Sequence, residues 1–427
     1  MKRFLIYLTA ILASGLYAAA DVSLEYCLER ARENYPVIKK YELVEKNGQL
    51  DLDEINRSWL PRIEVYAQAT VQNVVPSFPG ALSGVMEQMG YEMKGLGHLQ
   101  YKGAVELSQN VWDGGTSKAA RSVTRATTAE NQAAVAVEMY GVREKVENLF
   151  FGILLLQEQM EQTRLSITLL ENNLGRLDAM VENGTAMQSD ADMVEAQCLT
   201  LKQKLTEAVN AADSYRKLLE IYMGESIGLQ RLICPSAVIP SSDESARPEL
   251  TLFESKLALN RERKEAVEAT LMPRIGLFAQ VYYGYPGINY FESMMRRDMS
   301  FNALAGIKVS WNIDVFYTRE TKRRQLSVSD DMIRADREMF LFNSALRSEQ
   351  ELSAIKGLTE VMSDDRRIVK LRENVRRSAE AQLENGVIDA TALLTKVTDE
   401  NQARLTAAYH QIQYVQYIYQ LKNTLNK

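Results

Sequence analysis

Apolar and polar positions change period along this chain. From Asp21 to about Ser58 the apolar residues recur at helical spacing. From Arg62 the period drops to two, with Ile63, Val65, Ala67, Ala69 and Val71 on one side and Glu64, Tyr66, Gln68, Thr70 and Gln72 on the other. A stretch rich in proline and glycine follows, from Pro76 to Gly97. A second alternating run begins at Gly103, setting Val105, Leu107 and Val111 against Glu106, Ser108 and Asn110. Downstream, Ile275, Leu277, Ala279 and Val281 alternate with Gln280 and Tyr282, and Ala303, Ala305, Ile307 and Val309 with Lys308, Ser310 and Asn312. The pattern predicts four strands, 62–72, 103–112, 274–283 and 302–312, each close to the roughly ten residues that a tilted strand needs to cross a bilayer.

Between the strand pairs the period returns to 3.6 and stays there. Thr116 to Leu174 contains no proline, which at about 1.5 Å per residue predicts a helix on the order of 90 Å long. Tyr317 to Glu384 is interrupted only by Gly357. Ala191, Val194, Cys198, Leu201, Leu205, Ala208, Ala212, Tyr215, Leu219 and Tyr222 keep a 3-4 spacing, the seam of a coiled coil, so Cys198 reads as a packing residue. Asn183-Gly184 and Asn385-Gly386 mark the turns between helices, because both residue types tolerate the left-handed conformation that ends a helix.

These elements recur as a repeat. Leu60-Pro61-Arg62-Ile63 returns as Met272-Pro273-Arg274-Ile275, Val111-Trp112 as Ser310-Trp311, and Glu182-Asn183-Gly184 as Glu384-Asn385-Gly386, in the same order. The expected organisation is a signal peptide over 1–20, a first repeat over 21–227, a linker over 228–247 broken up by proline and serine, and a second repeat over 248–427.

Composition narrows the compartment and the chemistry. Lys2 and Arg3 precede an apolar run that is too short to span a bilayer, and Ala18-Ala19-Ala20 offers a cleavage site, the pattern of an export signal. Three cysteines, Cys27, Cys198 and Cys234, leave at least one unpaired, so no disulfide framework is expected; none stands where a lipid-anchored chain needs its first thiol. A net charge of -6, falling to -8 without Lys2 and Arg3, argues against nucleic acid as a partner. The two histidines, His98 and His410, stand apart from other ligand types, so neither a metal site nor a cofactor is expected. Ser214-Tyr215-Arg216-Lys217 matches the S-x-x-K signature of penicillin-binding proteins but lies mid-helix without its companion motifs, and no phosphate-binding glycine loop is present. Methionines gather in both strand-connecting segments (Met86, Met89, Met93; Met294, Met295, Met299) and read as adaptable packing, although thioethers also suit Cu(I). Enzymatic activity is not expected.

Four alternating strands do not close a barrel, and lipid tolerates no open sheet edge, so a membrane reading demands several chains. Three copies supply twelve strands around a lumen, giving a mainly helical protein with a membrane β-barrel. Glu64, Gln68, Glu106, Gln280 and Lys308 would then line water, and Trp59, Trp112 and Trp311, all at one end of the strands, would form an aromatic girdle against outer-membrane lipid. The competing account makes the tryptophans plugs of a soluble core in a periplasmic coiled-coil scaffold or adhesin.

Leu60-Pro61-Arg62, Leu107-Ser108-Gln109 with Trp112-Asp113-Gly114-Gly115, and the two Asn-Gly turns, set in a duplicated strand-pair and helix-pair chain, resemble the TolC family of outer-membrane efflux proteins over nearly all of Asp21 to Lys427. The resemblance implies a homotrimer whose twelve-stranded barrel in the outer membrane continues into an α-helical periplasmic coiled-coil tunnel. It also implies docking to a periplasmic adaptor protein and an inner-membrane transporter, with passive export of what the pump delivers. On that basis Asn183, Gly184, Thr185, Asn385, Gly386 and Val387 are candidate adaptor-docking tips. Family tunnels narrow there on acidic rings. Here the segment after Gly386 carries Asp389 alone, and Asp190 and Asp192 follow Gly184, so these three are the candidate gate; the alternative is that they are first-turn acids favoured by the helix dipole. The second repeat also departs from the pattern in having Asn312-Ile313-Asp314-Val315-Phe316 where the first has Asp-Gly-Gly.

Overall fold

A computed structural model describes residues 22–91, 95–228, 230–240 and 246–427. The expected signal peptide, part of the expected linker and Met93 lie outside these residues. The elements run α1 (Leu24–Asn34), α2 (Val37–Arg57), β1 (Arg62–Val71), α3 (Gly80–Gln88), β2 (Leu99–Trp112), α4 (Thr116–Glu182), α5 (Gln188–Met223), α6 (Pro248–Ala269), β3 (Arg274–Tyr285), α7 (Tyr290–Arg296), β4 (Ser300–Ser310), α8 (Val315–Glu384) and α9 (Ala390–Leu425). The protein is mostly helical, and no described helix is long and apolar enough to cross a membrane.

The chain divides into two units, one over 43–132 and 253–334, the other over the described parts of 1–42, 133–252 and 335–427. The first unit holds a four-stranded antiparallel sheet in the order β1-β2-β3-β4, so every strand pairs with its neighbours in sequence. Several strand limits differ from the alternation by one to four residues, and two of the differences show why. β2 starts four residues before Gly103 because Leu99 and Tyr101 continue the pattern and pair with Val71 and Ala69. β4 stops at Ser310 rather than Asn312, because its last partner is Arg274 and the residue before that, Pro273, has no N–H to give the ladder. The proline-rich connections hold the short helices α3 and α7, which periodicity over so few residues does not reveal.

The second unit holds most of α4 and α8 together with α1, α5 and α9. α4 has 67 residues and α8 has 70, each on the order of 100 Å at 1.5 Å per residue. At Leu149 to Leu156 α4 is apolar on all sides, and there it is enclosed: Phe150, Phe151 and Ile153 are fully buried against Leu24 and Cys27 of α1, Leu219 and Met223 of α5, and Tyr419 of α9. The segment after α5 is part of this core. Ile227 is buried, and Leu232, within the expected linker, is buried and bridged by Val22. The expected helix from Asp21 to Ser58 is two helices, since Pro36 lacks the N–H for a continuing turn and holds Tyr35 extended. The coiled-coil seam is present on α5 at Ala191, Val194, Cys198, Leu201, Ala208, Ala212 and Leu219; Tyr215 instead lies half exposed with its ring over Gly152, where an added Cβ would come within 2.6 Å.

Candidate functional sites on the sheet and at the helix turns

Register decides what each face of the sheet presents, because residues directly opposite one another point to the same side. Glu64 faces Glu106, which faces Gln280; Gln68 faces Lys102; Lys308 faces Gly276, which faces Asn110. All five residues expected at the lumen therefore share one face. Their neighbours on it include Arg62, Tyr66, Lys102, Arg274, Tyr282 and Asn302. The Gln280 amide donates across β2 to the Tyr66 hydroxyl of β1 at 2.7 Å and to Glu106 Oε2 on β2 itself at 3.4 Å. The Lys102 ammonium lies 5.6 Å from the Tyr66 ring centre and 5.5 Å from that of Tyr282. Gly276, Gly284 and Gly306 also stand on this face, and a Cβ added at Gly284 would come within 2.5 Å of the Lys102 Cβ. Sequence reasoning missed Lys102 because it began the strand one residue later, at Gly103.

The opposite face is apolar and uncovered. Ile63, Val65, Val71, Phe301, Ile307 and Val309 are each 65% exposed or more. Extensive exposure of branched and aromatic side chains along successive strands goes beyond the scatter of single apolar residues on soluble surfaces. Within the described sheet the outer edges of β1 and β4 have no strand partner.

The tryptophans stand where β1 begins and where β2 and β4 end. Trp112 owes its side to a β-bulge: the register slips between Asn110 and Trp112, so Trp112 pairs with Ile275 on the apolar face. Without the extra residue, strict alternation puts Trp112 with Asn110 on the polar face. Trp311 lies one residue past β4, half exposed, and its indole N–H donates to the Leu271 carbonyl at 2.9 Å. The Trp59 carbonyl accepts from the Gln109 side chain.

From β2 the chain enters α4 through Asp113-Gly114-Gly115. The Asp113 carboxylate accepts from the Gly115 N–H at 2.9 Å and the Ser117 N–H at 2.6 Å, capping the helix start. Gly114, at φ +70°, crosses Met272-Pro273, and an added Cβ would meet the Met272 Cβ at 2.6 Å. The Asp-Gly-Gly turn thus rests on the Met272-Pro273 segment before β3. α8 begins differently, with the Trp311 and Phe316 rings packed edge to face at 6.1 Å.

Both helix turns end in the same hydrogen-bonded cap. The Thr185 N–H reaches the Met180 carbonyl and the Gly184 N–H that of Val181; the Val387 N–H reaches Gln382 and the Gly386 N–H reaches Leu383, at 2.8–2.9 Å. Gly184 and Gly386 take φ of +71° and +68°. These are Schellman caps, and the Asn183 and Asn385 side chains add a bond each to the carbonyl four residues back. All six residues expected at the tips are exposed. The turns lie side by side, since Leu177, Val194, Leu383 and Leu393 share one buried cluster.

The three candidate gate acids differ in their engagement. Asp389 caps α9, accepting from the Ala392 N–H at 2.8 Å, and Asp190 accepts from the Met187 N–H at 3.3 Å. Asp192 contacts only the Gln188 amide, at 2.9 Å, on an exposed helix face. Helix initiation therefore accounts for Asp190 and Asp389, and the two turns are capped from different positions. Among the described residues no group of three or more His, Cys, Asp or Glu side chains is placed to hold a metal ion.

No protein-family model matches the chain, and no curated protein does. Solved structures do. The outer membrane protein VceC of Vibrio cholerae is 12% identical, with 94% of this chain and 95% of that one covered at a TM-score of 0.69. The CmeC outer membrane channel of Campylobacter jejuni is 12% identical, with 94% and 85% covered at 0.69. The open-state MtrE outer membrane channel of Neisseria gonorrhoeae is 15% identical, with 94% and 88% covered at 0.65. The chain has the fold of these proteins over nearly its whole length, as its resemblance to the TolC family implies.

Proposed function

We propose that this protein is the outer-membrane channel of a tripartite efflux or type I secretion system, and not an enzyme. Three copies close a twelve-stranded barrel in outer-membrane lipid, and their long helices continue it as a periplasmic tunnel. The observation that carries this reading is the sheet. A largely exposed apolar face, a polar face behind it and two unpaired edges form a combination that is costly in water and is relieved when lipid covers one side and neighbouring copies cover the edges. The fold shared with solved outer-membrane channels supports it.

The remaining assignments follow from that placement. Glu64, Gln68, Glu106, Gln280 and Lys308 line the lumen. Trp59, Trp112 and Trp311 form the girdle at the periplasmic interface, a reading that the bulge supports by turning Trp112 outward. Along α8, Val328, Met332, Met339, Phe342 and Leu346 are half exposed or more at a 4-7-3-4 spacing, the seam expected between protomers. The tips at Asn183–Thr185 and Asn385–Val387 dock a periplasmic adaptor that links the duct to an inner-membrane transporter. Asp192, with Asp190 and Asp389, narrows the tunnel beside them. Transport through the duct is passive and its cargo is set by the pump.

Membrane fractionation tests the reading. The protein is expected in the outer-membrane fraction as a trimer in detergent that dissociates on heating; a monomer released by carbonate would sink it.

A further inference from the structure

The polar face of the sheet is more basic than the chain that carries it. The protein as a whole has a net charge of -6, yet this face presents Arg62, Lys102, Arg274 and Lys308 against only Glu64 and Glu106. Three of the four bases stand at the end of the sheet that bears the tryptophans, as the register of Arg62 with Ser108, Arg274 with Ser310 and Lys308 with Gly276 requires. Lys102 is alone in the far half. It pairs with no carboxylate among the described residues. It is instead held by two rings: the row Tyr66–Ala104–Tyr282 places a small residue between two tyrosines, and the ammonium of the next row lies over both. Gly284, directly opposite, leaves room for the lysine stem that any Cβ would fill.

A lysine normally sweeps a wide volume and forms ion pairs where it finds acids. This one has no carboxylate partner among the described residues and lies between rings whose quadrupoles favour a cation. A fixed, uncompensated positive charge on a narrow aqueous wall concentrates anions and repels cations.

We propose that Lys102, positioned by Tyr66 and Tyr282, is a specificity-determining residue that favours small anions over cations in the half of the lumen remote from the tryptophans. The inference rests on the barrel reading above. Threefold repetition would set three such charges around one level of the duct.

Charge-selective thiol modification in lipid vesicles tests it without requiring the helix tips to be open. A reporter cysteine is introduced by Gln68→Cys, directly opposite Lys102, or by Val65→Cys on the apolar face, each with Cys234→Ser; Cys27 and Cys198 are buried. Rates are compared for an anionic sulfonatoethyl and a cationic trimethylammonioethyl methanethiosulfonate. The Gln68→Cys site is expected to react preferentially with the anionic reagent. That preference should drop severalfold with Lys102→Met or Lys102→Gln, persist with Lys102→Arg, and shrink in high salt. An unchanged ratio in both neutral variants, with Val65→Cys still protected by lipid, overturns the role of Lys102 alone. If Val65→Cys reacts as fast as Gln68→Cys, the barrel reading fails, and the proposal with it.

Discussion

Gly114 and Glu147 show single residues whose identity is dictated by partners far along the chain. Gly114 combines a left-handed φ with contact against Met272, whereas Gly115, at φ +88°, has open space where a Cβ would sit. Gly115→Ala should therefore cost only backbone strain, roughly 1 kcal/mol, and Gly114→Ala that strain plus displacement of Met272, toward 3 kcal/mol. Thermal unfolding of the two variants should rank them in that order. Glu147 is buried with its carboxylate against the Asn423 amide and Arg143 at 3.0 Å; burial outweighs both and pushes its pKa up to about 7. The folded chain then holds the proton more tightly than the unfolded one, whose value is near 4.5. The stabilisation is complete below 4.5 and is lost as pH climbs through about 7, a change on the order of 3 kcal/mol. Glu351, raised by burial in the same way, adds the same sign. The melting temperature should fall between pH 5 and 8, and Glu147→Gln should flatten most of that slope. The Asp-Gly-Gly entry to α4 was picked out in sequence through the family resemblance, and its contact with Met272 was not legible there. Nor was Glu147, because Asn423 lies 276 residues away.

At the scale of elements, the changes of period located all four strands and both long helices, since each side chain's exposure repeats at the period of its backbone. The β-bulge at Val111 left no mark in the alternation, and it decides which way Trp112 faces. The helix turns were legible as Asn-Gly pairs; how the following helices are capped was not, because Asp389 and Asp190 cap from different positions relative to their glycines. That difference gives a test of the two roles open to Asp389. Asp389→Ala removes the bond to Ala392 and should cost about 1 kcal/mol, seen as faster proteolysis at the tip. Asp389→Asn keeps an acceptor oxygen there and should leave the protease resistance of the tip unchanged while removing one charge. Any change in export through the Asn variant then reports on the charge and not on the cap.

At the scale of the whole molecule, sequence read the strands as two alternating faces, and the register keeps like with like across β1 to β3 in the central rows, with Leu304 opposite Gln280 and Phe278 opposite Ser108 as exceptions on the polar face. Polar residues meet polar and apolar meet apolar in the rows from Glu64 to Gln280 and from Val65 through Val105 to Val281. What the sequence could not carry was Lys102, whose significance depends on rings from two other strands. The coherence predicts opposite fates for neighbouring positions. Val105→Lys places a charge on the apolar face near mid-sheet, where lipid contact in the proposed barrel would make it cost about 2–4 kcal/mol. Glu106→Lys, one residue on, points to the polar face, where water meets the ammonium at little cost. Outer membranes carrying the first variant should yield much less heat-dissociable trimer, and those carrying the second an amount close to wild type. In a soluble protein both side chains would be exposed to water on an open sheet, and the two substitutions would be tolerated alike. The difference between these yields therefore measures whether lipid covers the apolar face.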